Sequence, residues 1–169
     1  MREREREREY MAQITEIWLK ERDRSFHGEV VIRGKNNPFK QNRQGFTRYY
    51  LKPSKYLPGM PVQSALDGWS VFIQQIKNHS GKHRHQGGLV IYIIEGEGHS
   101  IVEGERLDWR GGDLMLLPIK PGGVEHQHFN KDESKPVKWI AFIHTAVHEW
   151  CATEMVQVER HPEWRGEIK

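Results

Sequence analysis

From residue 69 onward, the chain alternates between short apolar runs and turn-forming residues. The runs are rich in β-branched and aromatic side chains and cover residues 69–77, 89–95, 98–103, 113–118, 124–130 and 137–145. Glycine-rich sequences separate them, such as Glu95-Gly96-Glu97-Gly98 and Arg110-Gly111-Gly112-Asp113. Strands of this length and spacing predict an all-β domain, either an antiparallel barrel or a sandwich.

The first 66 residues follow a different pattern. Residues 1–9 alternate in charge without an apolar face, whereas apolar side chains recur at helical spacing just after them: Tyr10, Ile14, Ile17 and Trp18. This spacing predicts a short helix over residues 8–22 that packs one apolar stripe. Proline and glycine interrupt residues 34–66, which predicts an irregular arm with one short strand at 47–51.

The length of 169 residues is that of one ordinary domain. We expect residues 1–66 to form a charged helix and an irregular basic arm that belong to the same unit as a β-barrel over residues 67–169. Residues 147–158 fit a helix and a strand equally well.

Charge is distributed unevenly along the chain. Seven lysines and arginines and no acidic residue lie between Val30 and Ala65, although the net charge is only +3. So small a net charge argues against a nucleic-acid partner, and we expect the arm to cover a barrel edge or a neighbouring subunit. The single Cys151 excludes an internal disulfide, and the longest apolar run, Leu89–Ile94, is too short to cross a bilayer. We therefore expect a cytoplasmic protein with no membrane partner.

Two histidine pairs carry the candidate chemistry. His83 and His85 stand two residues apart, as do His126 and His128. Side chains at that spacing share one face of a strand, so each pair can direct its rings toward one cation. A catalytic metal needs about three protein ligands with open positions beside them, and neutral imidazole suits Fe, Zn, Cu and Ni alike. The two pairs therefore predict a metal site.

The spacing of these histidines resembles the cupin superfamily, whose first motif reads G-x5-H-x-H-x3,4-E-x6-G and whose second reads G-x5-P-x-G-x2-H-x3-N. His83, His85 and Gly96 match the first motif. Gly112 and the stretch from Pro121 to Asn130 match the second, with three residues inserted before Pro121. The resemblance implies a jelly-roll type antiparallel β-barrel over about residues 69–145.

Two departures from the first motif define the ligand set that the resemblance implies. Lys77 stands where the motif opens with glycine, and Leu89 or Val90 stands where it has a metal-binding glutamate. The set is therefore His83, His85 and His126, similar to the three-histidine gentisate 1,2-dioxygenase group. His128 is the competing third ligand; if His126 binds the metal, His128 is expected to be a catalytic hydrogen-bonding or acid/base group.

The resemblance to that group implies a mononuclear non-haem iron dioxygenase that cleaves a carbon–carbon bond. Three neutral ligands leave the ion its full charge and leave room for O₂ and a chelating substrate, such as a small hydroxylated aromatic or enolisable compound. We expect Fe(II), with Zn, Ni, Mn or Cu as alternatives, and a homodimer. The alternative functions are a metal-dependent isomerase, lyase or hydrolase that uses no oxygen, and a non-catalytic ligand-binding protein.

Overall fold

A computed structural model describes residues 2–52, 64–145 and 155–166. The chain begins with one long helix, α1 (Arg2–His27), followed by a short 3-10 turn at Gly34–Asn36. The strands are β1 (Lys40–Asn42), β2 (Gly45–Leu51), β3 (Trp69–Ile76), β4 (Lys82–His85), β5 (Leu89–Glu95), β6 (Glu97–Val102), β7 (Glu105–Arg110), β8 (Leu114–Leu117), β9 (Val124–Asn130), β10 (Val137–His144) and β11 (Val156–Glu159).

The strands form two antiparallel sheets. The larger sheet has the order β1-β2-β3-β10-β5-β8, and the smaller has the order β11-β4-β9-β6-β7. Neighbours in each sheet are largely distant in sequence, as when β10 pairs with both β3 and β5. This confirms the all-β, cupin-type architecture expected from the sequence.

The core lies between the inner faces of the sheets and follows the two-residue period of the strands. On β5, Leu89, Ile91 and Ile93 are buried while the residues between them are exposed. The other buried apolar side chains of the core are Ile76, Trp109, Met115, Leu117, Val124, Val137, Trp139 and Ala141. The inner faces of β4 and β9 add histidines to this core, so the polar site is surrounded by apolar residues.

Three strands differ from the sequence prediction. The sequence analysis did not predict β7, because four of its residues are charged and Trp109 is its only buried side chain. The sequence analysis also did not predict β1, and its predicted strand at 47–51 begins two residues after the start of β2. Both strands come from the segment expected to be an irregular arm, and β2 pairs with β3 in the larger sheet. Within the ambiguous stretch 147–158, residues 147–154 lie outside the described residues, and its end belongs to the strand β11, which pairs with β4.

The N-terminal helix is longer than predicted, with 26 residues instead of a short segment over 8–22. Its arginine, glutamate and lysine residues are good helix formers, so the alternating start continues the helix. The expectation that its apolar stripe packs was wrong, since Tyr10, Ile17 and Trp18 are all more than 60% exposed. At its end, Arg24 donates a hydrogen bond to the Ser64 carbonyl oxygen at 2.9 Å. Among the described helices, none is long and apolar enough to cross a membrane.

Candidate metal centre

The two predicted histidine strands are neighbours in the smaller sheet. β4 and β9 pair antiparallel with His83 directly opposite His126. The ring nitrogens of His83, His85 and His126 lie within 4.8 Å of one another, and all three side chains are buried. The structure therefore brings the three implied ligands to one point between the sheets.

Charged side chains on the opposite face hold β4 and β9 in this register. Arg84 points outward between the two histidines of its strand and contacts Glu125 at 3.1 Å. Lys82 contacts the same carboxylate at 2.8 Å. The alternation of inward histidines with outward charges is what the two-residue period of a strand dictates. The outer ion pairs and the inner cluster thus depend on one strand pairing.

The hydrogen bonds of His126 leave one nitrogen directed at the cluster. Its Nδ1 lies 3.1 Å from the Val124 carbonyl oxygen, to which it donates, so Nε2 carries the lone pair of the neutral ring. This Nε2 is buried without a hydrogen-bond partner. A buried polar atom without a partner is costly, and a cation at the cluster would satisfy it. The donor set therefore fits a metal ion.

The other two rings are supported differently. His83 Nδ1 lies 3.4 Å from the Gly81 carbonyl oxygen, a long contact. It uses the same ring nitrogen as the shorter contact of His126 with Val124. The Gly87 amide donates to His85 Nδ1 at 3.1 Å. A neutral His85 that accepts this bond carries its proton on Nε2. Coordination through Nε2 therefore requires the proton to move to Nδ1 and the Gly87 amide to turn away.

Burial keeps His83 and His126 neutral. Burial, followed by the charges of His126, His85 and His128, holds the pKa of His83 well below its ordinary value. Burial lowers the pKa of His126 to about 4, against a smaller opposing effect of its hydrogen bond to Val124. Neutral imidazole is the form that binds a metal, so the cluster is ready for a cation at neutral pH.

His128 lies beside the cluster in a different set of contacts. Its ring centroid is 5.4 Å from that of His126. Its Nδ1 lies 2.7 Å from Ser100 Oγ, which also accepts a hydrogen bond from Trp109 Nε1 at 2.8 Å. Burial, followed by the charges of His126 and His85, lowers the pKa of His128 well below its ordinary value.

Sequence reasoning missed three residues that surround His128. Ser100 and Trp109 form the hydrogen-bond chain just described. Trp139 packs edge-on against His128, with ring centroids 5.1 Å apart, and its Nε1 is buried without a hydrogen-bond partner. The alternation of β6 already places Ser100 on the inner face, so a polar residue in that position was an available signal. The partnerless indole of Trp139 becomes visible only in the structure.

Comparison with known proteins finds a family match over part of the chain. Residues 71–143 match the family described as the cupin domain. A gentisate 1,2-dioxygenase from Streptomyces sp is 27% identical over 99 residues, which cover 58% of this chain and 26% of the relative. The match therefore spans only about a quarter of that relative's length.

Two solved structures share the fold at low identity. Salicylate 1,2-dioxygenase from Pseudoaminobacter salicylatoxidans, with gentisate bound, superposes with a TM-score of 0.52 and 18% identity over 77% of this chain and 34% of its own. The polyketide cyclase RemF from Streptomyces resistomycificus has a TM-score of 0.51 and 12% identity, over 80% of this chain and 89% of its own. Proteins of different activity thus share this fold. Over residues 71–143, this chain is similar to the cupin domain.

Proposed function

We propose that this protein is a mononuclear non-haem iron dioxygenase that cleaves a carbon–carbon bond in a small hydroxylated aromatic or enolisable substrate. One observation carries the proposal: three buried histidines converge within 4.8 Å, with no carboxylate among them, and burial lowers the pKa of His83 and of His126. His83, His85 and His126 are the proposed ligands. The partial sequence similarity to a gentisate 1,2-dioxygenase supports the same reaction class.

The neutral ligand set favours an anionic, chelating substrate. Without a coordinating carboxylate the site keeps the full positive charge of a divalent ion, which attracts a substrate that offers two oxygen atoms. When bound, Fe(II) supplies the one-electron chemistry with O₂ that amino-acid side chains lack. The surrounding apolar core keeps water away from the reacting groups.

His128 is proposed to act on the substrate rather than on the metal. Ser100 Oγ already accepts the Trp109 N–H, and its single hydroxyl proton is satisfied when it is donated to His128 Nδ1. The neutral His128 then carries its own proton on Nε2. This N–H can donate a hydrogen bond to a substrate oxygen.

Trp139 is proposed to supply a second hydrogen-bond donor to the substrate. Its indole N–H is buried without an acceptor, beside the ring of His128. A substrate oxygen that accepts this bond would be fixed relative to the cluster, and the indole face would cover an aromatic ring. These two donors favour a planar substrate with several oxygen atoms.

The proposal is tested by oxygen consumption. Protein purified without oxygen and reconstituted with Fe(II) is mixed with hydroxybenzoates, catechols, hydroxyacetophenones and β-diketones. We expect substrate-dependent uptake that is absent from His83→Ala and retained in His99→Ala, a histidine that stacks on Phe129 outside the cluster. Metal content is measured on each sample. Metal bound in the wild type without any oxygen uptake would refute the dioxygenase.

That last result would favour the second candidate, a metal-dependent isomerase, lyase or hydrolase that uses no oxygen. The hydrogen bond between Ser100 and His128 is compatible with both candidates, because it orients the His128 ring in either class of reaction. The two candidates are distinguished by product analysis under nitrogen. Turnover without oxygen would establish the second.

A further inference from the structure

Glu103 has an unusual backbone conformation. Among the residues that the structure describes, it alone has a positive φ, +52°, without being glycine. It follows β6 and forms, with Gly104, the two-residue turn that leads into β7. A left-handed backbone is unfavourable for a residue with a Cβ atom, and glycine or asparagine is the usual choice in such a turn. Strained residues persist where other contacts hold them, and they cluster at functional sites.

Glu103 makes two hydrogen bonds to one residue of β9. Its backbone N–H donates to the Glu125 carbonyl oxygen at 2.9 Å, and its carboxylate accepts the Glu125 N–H at 2.6 Å. In a regular antiparallel pair the second bond would go to a main-chain carbonyl, whose place the carboxylate takes here. Lys120 contacts the other carboxylate oxygen. The hydrogen bonds from Lys120 and from the Glu125 N–H lower the pKa of Glu103, so it is ionised at neutral pH.

The Glu125 N–H belongs to the same peptide group as the Val124 carbonyl. That carbonyl oxygen accepts the Nδ1–H of His126 at 3.1 Å. In a trans peptide the N–H and the C=O point in opposite directions, so this group faces Glu103 on one side and His126 on the other. A single planar amide therefore links the carboxylate to the ring.

We propose that Glu103 is a positioning residue for His126 and acts through the Val124–Glu125 peptide. A hydrogen bond from an N–H to a charged acceptor is shorter and stronger than one to a neutral acceptor. Hydrogen bonds in a chain polarise one another, so the carboxylate places more negative charge on the Val124 carbonyl oxygen. This oxygen then holds the Nδ1–H more firmly, which fixes the ring and makes Nε2 a better ligand for a cation.

The strained backbone allows this role to be separated from a contribution to stability. Glycine adopts a φ of +52° at little cost. A glycine at position 103 would keep the backbone N–H that bonds to the Glu125 carbonyl and would remove only the carboxylate. This inference rests on the proposed metal-binding role of His126, but it does not depend on which reaction the metal performs.

Co(II) binding to chelator-treated protein tests the proposal. Glu103→Gly removes the carboxylate, and Glu103→Gln keeps a neutral acceptor of similar shape. We expect the dissociation constant for Co(II) to rise about 10-fold in Glu103→Gly, the lower end of the range for residues that support a metal ligand, and by less in Glu103→Gln. The urea midpoint of metal-free Glu103→Gly should equal or exceed that of the wild type.

Glu97→Gln is the matched control. Glu97 forms an exposed ion pair with Lys131 at the opposite end of β6, so the variant removes a comparable carboxylate from the same strand region. It should leave Co(II) binding unchanged.

A second measurement needs no metal. The Nδ1 proton of His126 is observed in the ¹H–¹⁵N spectrum of the metal-free protein at neutral pH and is assigned by its loss in His126→Gln. It should move upfield in both Glu103 variants, because its hydrogen bond to the Val124 carbonyl oxygen weakens.

The outcomes that overturn the proposal are distinct. Unchanged Co(II) affinity and an unmoved Nδ1 proton in both variants would leave Glu103 as a cap of β9 and nothing more. Weaker Co(II) binding together with a lower urea midpoint in Glu103→Gly would show a role in folding instead. A wild type that binds no metal would refute the metal site and this inference together. Metal bound without oxygen uptake would refute only the dioxygenase.

Discussion

The pH dependence of stability without metal is the sharpest test of the histidine cluster. The pKa of His126 falls from its ordinary 6.5 to about 4 because the ring is buried. Between these two pH values the unfolded chain binds a proton that the folded chain does not. The stabilising contribution of a neutral His126 is therefore complete above pH 6.5 and is lost as the pH falls toward 4.

The size of this effect follows from the shift. At about 1.4 kcal/mol per pKa unit, His126 alone removes about 2–3 kcal/mol from the free energy of unfolding between pH 7.5 and pH 4.5. His83 and His128 act in the same direction, because burial lowers their pKa values too. For a small domain this is a substantial fraction of the total stability.

Urea denaturation of chelator-treated protein measures the effect at both pH values. His126→Gln is the matched control, because glutamine has similar volume and does not titrate. Exposed carboxylates titrate alike in both proteins, so their contributions cancel. The wild type should lose about 2–3 kcal/mol more than the variant. Equal losses would show that His126 is not a buried neutral group and would refute the electrostatic account of the cluster.

Three further predictions concern individual side chains. His126→Ala should abolish stoichiometric metal binding, whereas His128→Gln should keep the metal and lower kcat by about 100-fold or more; the reverse pattern in metal analysis would exchange their roles. Trp139→Phe should raise KM about 10- to 100-fold, the effect of losing one hydrogen bond to a charged oxygen, with metal content unchanged. Ser100→Ala should lower the free energy of unfolding by about 1–3 kcal/mol, measured in urea, because the buried Trp109 N–H loses its acceptor. An unchanged stability would argue against that hydrogen bond.

Sequence reasoning succeeded where the signal is local. Glycine-rich turns separated most of the strands correctly, and the two-residue spacing placed each histidine pair on one face. It failed where a non-local contact decides the structure. β7 carries four charged residues, and it is a strand because it pairs along its length with β6. α1 has a regular apolar stripe, yet the side chains of that stripe remain exposed.

The sequence by itself determined the fold class and which four histidines lie together, because strand alternation and turn formation act over a few residues. Only the tertiary structure decided which residue lies opposite each of those histidines. The pairing of β4 with β9 puts His126 opposite His83, and the pairing of β6 with β9 puts Ser100 opposite His128. Burial between the sheets then lowers the pKa values of His83, His126 and His128. These are contacts between residues far apart in the chain, and a local pattern carries no information about which strands meet.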